Sequence, residues 1–206
     1  MMTSRETVSV VTLGETMLRL TPPHWQRWAQ AQQAELHVGG SESNVAVGLA
    51  RLGHRVQWVS RLTDNPLGRI ITSQLAAQGV GVGRVVWTEQ DRVGLYFYEQ
   101  AAPPRGSQVV YDRRGSAASR MRPEDLPADL FDPSQRGSWL HTSGIMLGIG
   151  PDAARTAVAA ITAARQAGWK VSLDVNYRRG LWSAEQAARG LAPVLPLLDL
   201  LIVTQD

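Results

Sequence analysis

Cysteine is absent from the 206 residues, which excludes disulfides and thiolate metal sites. Lysine is nearly absent too: Lys170 stands alone among 21 basic residues, and the others are arginine. That skew lifts the isoelectric point without making a basic surface. Arginine does not titrate below very high pH, and without cysteine little else titrates between neutrality and about pH 10. A net charge of only +3 therefore moves the balance point far up. The basic residues are scattered along the chain and never form a run of about five, which argues against a nucleic-acid partner. No apolar stretch reaches the roughly eighteen residues of a membrane-spanning helix. The N-terminal "MMTSRETVSVV" has no apolar segment of the length a secretory signal needs, so the expected compartment is the cytoplasm. Neither common nucleotide loop, G-x-x-x-x-G-K-[ST] or G-x-G-x-x-G, occurs. His24, His37, His54 and His141 show no metal-ligand spacing, and His141 at a strand end reads as a structural hydrogen-bonder.

What is present is an ordinary globular pattern. Hydrophobic residues make up 44%, and the length suits one substantial domain or a core with a small appendage. Strand-like and helix-like segments alternate. "VSVVTLG" (8–14), "RVQWVSRL" (55–62), "SWLHTSG" (138–144), "WKVSLDV" (169–175) and "LDLLIVTQD" (198–206) read as strands. "SNVAVGLARLG" (43–53) reads as a helix with Val45, Leu49 and Leu52 on one face and a stop at Gly53. The 64–79 segment has an Asp cap, an early proline and a closing glycine. Residues 151–168 and the first half of 183–198 complete the helices. This alternation predicts a mostly parallel sheet with flanking helices. Four β-rich segments break the rhythm. "DRVGLYFYEQ" and "SQVVYDRRG" flank the turn-like "AAPPR" and predict a hairpin, and "TMLRLTP" and "AELHV" share their character. They predict a separate small sheet built from about 16–38 and 91–115, within one α/β domain over 1–206.

Three stretches carry chemistry. In "HVGGSESNVA" (37–46) two glycines stand at the doorway of a helix. One reading is plain turn chemistry. The other is close approach of a ligand to bare backbone, with free N–H groups at the helix start and the Asn44 amide able to donate to and accept from a hydroxyl. "SLDVNYRRG" (172–180) ends a strand with Asp174, Asn176, Arg178 and Arg179. Ligands of open α/β sheets bind outside the carboxyl ends of strands, and arginine there suits a carboxylate or phosphate; for Arg179 a solvated strand end is the preferred reading. The hairpin brings Tyr96, Tyr98, Tyr111, Arg113 and Arg114, residues that can pack on the core or close over a polar ligand.

The order of "VVTLGETMLRLTP", "VGGSESNVAVGLARLG", "VSRLTDNPLG", "GLYFYE", "YDRRGSAAS", "LHTSGI" and "VSLDVNYRRGLW" resembles the ribokinase-like (PfkB) carbohydrate kinases along the whole chain. Within them it is similar to the 2-keto-3-deoxygluconate kinase branch. The resemblance implies a Rossmann-like body with a β-sheet lid, and ATP- and Mg2+-dependent phosphorylation of a sugar hydroxyl. It implies that Gly39, Gly40 and Asn44 hold the sugar, that Tyr96 and Tyr111 contact it from the lid, and that Arg113 and Arg178 meet its acid group or the transferring phosphate. Arg19 stands where ribokinase- and fructokinase-like members usually carry an Asp, which favours an anionic sugar acid over a neutral sugar. Glu42 departs from the small residue usual in the glycine motif, and Thr63 from a glycine. The family's G-A-G-D motif, with its catalytic Asp, does not occur in the chain. The catalytic base and most of the ATP site are therefore expected beyond Asp206, and the 206 residues alone are expected to lack kinase activity. A fructokinase-like specificity and a non-catalytic sugar-binding fragment or regulatory module stand as alternatives. A homodimer through the lid is a further implication of the resemblance.

Overall fold

Continuous apolar runs make the centre of the molecule. The computed structural model describes residues 9–135 and 138–204; Val8, the segment before it and the last two residues of the expected final strand lie outside them. Five strands form the central sheet: β1 (Ser9–Leu13), β4 (Arg55–Val59), β9 (Trp139–Ser143), β10 (Lys170–Asp174) and β11 (Leu200–Ile202). All pair in parallel, in the order β11-β10-β9-β1-β4. β1, β9 and β10 are buried over most of their length, as parallel strands covered on both faces must be. Helices α1 (Ser41–Arg51) and α4 (Pro151–Gln166) pack against β1 and β4 and against β9 and β10 respectively. The chain leaves β1 toward β4 and later returns through β9 on its other side. The switch point of the sheet therefore lies between the carboxyl ends of β1 and β9.

Local signals explain the helix ends. Gly53, Gly79 and Gly168 follow α1, α2 (Pro66–Ala77) and α4 with φ of 89°, 86° and 76°, the left-handed turn that glycine makes without strain. In α5 (Ala184–Leu191), Ser183 and Gln186 form a reciprocal capping box. Two helix expectations need correction. The cap of α2 is Asn65, whose side chain accepts from Gly68 N at 3.0 Å, because Pro66 takes the first helical position. Asp64 instead pairs with Arg69. In α1 the buried residues are Glu42, Ser43 and Ala46, while Leu52, at the helix end, is 77% exposed.

The segment 55–62 is not one strand. It breaks at Ser60, and β5 (Arg61–Thr63) leaves the central sheet to pair in parallel with β6 (Val86–Thr88). The four segments set apart by the sequence do come together. β2 (Met17–Thr21), β3 (Glu35–Gly39), β7 (Leu95–Glu99) and β8 (Gln108–Asp112) form a second sheet in the order β3-β2-β7-β8. β7 and β8 are the predicted hairpin. Trp28 packs edge-on to Phe97, with ring centroids 5.5 Å apart, and its backbone N–H donates to Glu99 at 3.0 Å. Short helix α3 (Gly144–Gly148) starts at the end of β9, capped by Ser143.

Candidate functional site

At the switch point the second sheet meets the central one around a cavity of about 290 Å3. Met17, Gly39, Gly40, Ser41, Asn44, Tyr96, Tyr111, Arg113, Ile145, Asn176 and Arg178 line it. All seven residues that the resemblance assigns to the sugar, Gly39, Gly40, Asn44, Tyr96, Tyr111, Arg113 and Arg178, are brought together here, while Tyr98, Arg114 and Asp174 are not among its lining. Arg179 is exposed outside it. Arg19 does not line it; its guanidinium lies 5.8 Å from the Tyr98 ring centroid.

The glycine pair has a steric cause. Gly40 is extended, with φ of −164°, so backbone strain does not select it. A side chain at Gly40 would run into the Glu15 carbonyl and the Ser43 and Thr16 hydroxyls, and one at Gly39 would displace the Tyr96 hydroxyl. The glycines let α1 start directly beneath the second sheet. Their neighbour Ser41 accepts from Asn176 Nδ2 at 2.9 Å. Asn176 holds φ of 40°, a left-handed conformation uncommon outside glycine, and its own N–H donates to Asp174 Oδ1 at 3.0 Å. The loop carrying Arg178 is thereby tied to the first turn of α1.

The upper wall is aromatic. Tyr96 and Tyr111 face each other across the β7–β8 pair with ring centroids 5.8 Å apart. Burial pushes the Tyr96 hydroxyl above its ordinary value, against the nearby Arg19 charge, which lowers it, so the hydroxyl remains a neutral donor. Tyr111 is 51% exposed.

Two buried acids lie below this wall. Glu15, next to the Gly14 that follows β1, accepts from Arg113 Nη2 and from Ser116 Oγ. This pair joins the end of β1 to the loop after β8. Glu42 is wholly buried on the first turn of α1. Its Oε1 accepts from Ser143 Oγ, and its Oε2 has no partner among the described residues. Gly14 makes the room, since any side chain there would overlap the Glu42 carboxyl. Burial raises the Glu42 carboxyl to about 7, while the Ser143 hydrogen bond and Arg113 pull it back. His141 is buried and hydrogen-bonded to Ser172 Oγ at 2.9 Å, the structural role expected of it.

Sequence reasoning missed Met17, Ser41 and Ile145 as lining residues and gave Asn176 no specific role. It also missed the task of Glu15. The available signal was an acid two residues past a buried strand, a place where a charge needs a partner.

Comparison with known proteins gives these features a lineage. Residues 8–206 match the pfkB family carbohydrate kinases. The chain is 37% identical over 199 residues to a 2-dehydro-3-deoxygalactonokinase of Haloferax volcanii, covering 97% of this chain and 61% of the relative. It is 31% identical over 175 residues to a 2-dehydro-3-deoxygluconokinase of Bacillus subtilis, covering 85% and 53%. The crystal structure of a 2-dehydro-3-deoxygluconokinase from Thermotoga maritima superimposes with a TM-score of 0.90 at 37% identity, covering 95% of this chain and 59% of that one. The chain thus spans about three-fifths of the length of the first and third of these. It belongs to the pfkB family of carbohydrate kinases.

Proposed function

We propose that this chain carries the acceptor side of a sugar-acid kinase, and that the sugar is 2-keto-3-deoxygluconate, phosphorylated on its 6-hydroxyl with ATP as donor. The observation that carries this reading is the pairing of two arginines with two tyrosines around one small cavity at the switch point. Arg178 is exposed at the rim and free to meet a carboxylate bidentately. Arg113 adds positive charge from the side but is partly engaged by Glu15. The Tyr96 and Tyr111 hydroxyls, the Asn44 amide and the bare backbone at Gly39 and Gly40 supply the mixed donors and acceptors that sugar hydroxyls need. The names of the Haloferax, Bacillus and Thermotoga relatives support an acidic sugar as the acceptor.

The cavity does not fit a magnesium ion. Among the described residues its lining has no carboxylate, whereas Mg2+ takes hard oxygen ligands. Glu15 and Glu42 lie behind the wall and are engaged or buried. No proton-transfer or phosphoryl step is therefore assigned to these residues. Their task is to hold and orient the sugar so that one hydroxyl points out of the cavity, positioning being a large share of phosphoryl-transfer catalysis.

Thermal-shift titration of the chain tests the substrate class, because a ligand that binds only the folded state raises its apparent stability. 2-keto-3-deoxygluconate is expected to raise the melting temperature saturably, and Arg178→Ala to weaken that binding by roughly ten- to a hundredfold. A larger shift with fructose would overturn the sugar-acid reading in favour of a fructokinase-like one.

A further inference from the structure

Two acids and one guanidinium share the interior behind the cavity. Arg113 is 11% exposed at its side chain and donates to Glu15, which also accepts from Ser116. Among the described residues, Glu42 is left with one hydrogen-bond partner, the Ser143 hydroxyl, and an oxygen that meets none. Among the described residues, the other elements packed on it place no cation in hydrogen-bond contact with it; Arg113, engaged by Glu15, acts on it only through its charge. β1 has no ionisable side chain, and the His141 ring of β9 bonds Ser172. Arg55 of β4 is at the far end of its strand, bonded to Ser9 Oγ at 2.8 Å. On its own helix, Arg51 is at the opposite end and bonds Gln78 Oε1 at 3.0 Å. A buried carboxylate without a cation of its own takes a proton rather than keep its charge in low dielectric.

Its place makes that proton matter. Glu42 follows Ser41 and precedes Asn44 by two residues, and both line the cavity. Through Ser143, which also accepts from Ile145 N at 3.2 Å, it is joined to the start of α3 and to the Ile145 wall. An anionic ligand beside Arg113 and Arg178 adds a negative charge close to this carboxyl, which favours its neutral form further.

We propose that Glu42 is a positioning residue whose carboxyl is protonated when the acceptor site is filled, so that an anionic sugar binds together with one proton taken from solvent. This inference rests on the sugar-acid reading above. The proton is drawn from buffer onto the carboxylate, and no other bond forms or breaks. A neutral sugar adds no charge and so brings far less proton uptake.

Calorimetric titration of the 206-residue chain with 2-keto-3-deoxygluconate, in buffers of different ionisation enthalpy, tests it. The wild type is expected to take up protons on binding, with affinity falling by up to about tenfold per pH unit above neutrality. Glu42→Gln, a permanently neutral mimic, is expected to bind with no such uptake and a flat pH profile. Equal uptake in the wild type and E42Q would overturn the inference. Ser143→Ala removes the hydrogen bond that favours ionisation and should move the falling limb of affinity to higher pH; an unmoved limb counts against it. Should neither protein bind the sugar acid, the sugar-acid reading fails, and the proton is read without ligand. The wild type then loses stability relative to E42Q as pH rises from about 5 to 7, and parallel curves would overturn the assignment.

Discussion

The central sheet and the β7–β8 hairpin of the second sheet are built from strands of similar length, yet they are buried to very different degrees. β1 and β9 bury four of five residues each, whereas β7 is half-buried throughout and every residue of β8 is exposed. The first is a packed core, with Trp58, Leu140 and Leu173 wholly enclosed. In the second sheet β2 shares the apolar core through Leu18, while the β7–β8 hairpin presents Tyr96 and Tyr111 to the cavity and is fastened after β8 by Glu15 with Arg113 and Ser116. Apolar packing makes a rigid base through many small contacts. A half-exposed hairpin at the rim of that base, fastened by a directional tie, keeps its polar groups at the cavity without burying them.

That contrast can be broken from either side. The largest loss is expected in the base: Trp58→Ala should destabilise the chain by about 3–5 kcal/mol, read as a lowered midpoint in urea unfolding. A shift below about 1 kcal/mol would mean the core is looser than its burial implies. Next comes the tie, where Glu15→Ala leaves Arg113 without its buried partner and should cost roughly 3 kcal/mol. Its sharper signature is local, with hydrogen exchange accelerating in β7 and β8 ahead of β9 and β10. Uniform acceleration would deny that the tie serves the second sheet.

The pH response should follow Glu42. Its folded-state carboxyl sits at about 7 against an ordinary 4.5, so the folded protein holds a proton that the unfolded chain releases between those values. The stabilising contribution is full below the lower value and is lost as pH rises through the upper one, by roughly 3 kcal/mol. E42Q should lack this slope in thermal melts from about pH 4.5 to 7. A smaller effect, on binding alone, is expected from Gly39→Ala. Displacing the Tyr96 hydroxyl should remove the proposed sugar contact, for about a fivefold weaker affinity, while the melting temperature stays close to that of the wild type. Least of all, Arg92→Ala breaks a solvent-exposed pair with Asp112 and should leave the melting temperature unmoved, since exposed ion pairs contribute little. A clear drop would show that the hairpin depends on surface charge after all.

The same contrast decides what could be read in the sequence. Both sheets were legible where their signals are local: apolar runs closed by glycine for the central strands, and two β-rich runs around "AAPPR" for the β7–β8 hairpin. The seven lining residues were legible through their motifs, which lie at strand ends and at one helix start. What escaped depends on contacts distant in the chain. β5 and β6 are three-residue strands paired across an intervening helix, too short for periodicity to reveal. Leu52 reads as a core position by spacing but sits at the end of α1, where the helix has run past the sheet. Glu42 reads in the sequence only as a departure from the small residue usual in the glycine motif. Only the missing side chain of Gly14 and the hydroxyl of Ser143 make a place for it inside. The glycine pair was noticed for the right location but partly for the wrong reason, because the close approach it permits includes the protein's own Tyr96 and Glu15.

The central claim, that the cavity between the two sheets holds an acidic sugar, is tested most directly by a crystal structure of the chain grown with 2-keto-3-deoxygluconate. The account predicts the sugar over Gly39 and Gly40 and beneath Tyr96, with its carboxylate on Arg178. Density for the sugar in another hollow, such as the charged one lined by Arg61, Asp91, Arg120 and Arg122, with the switch-point cavity empty, would contradict it.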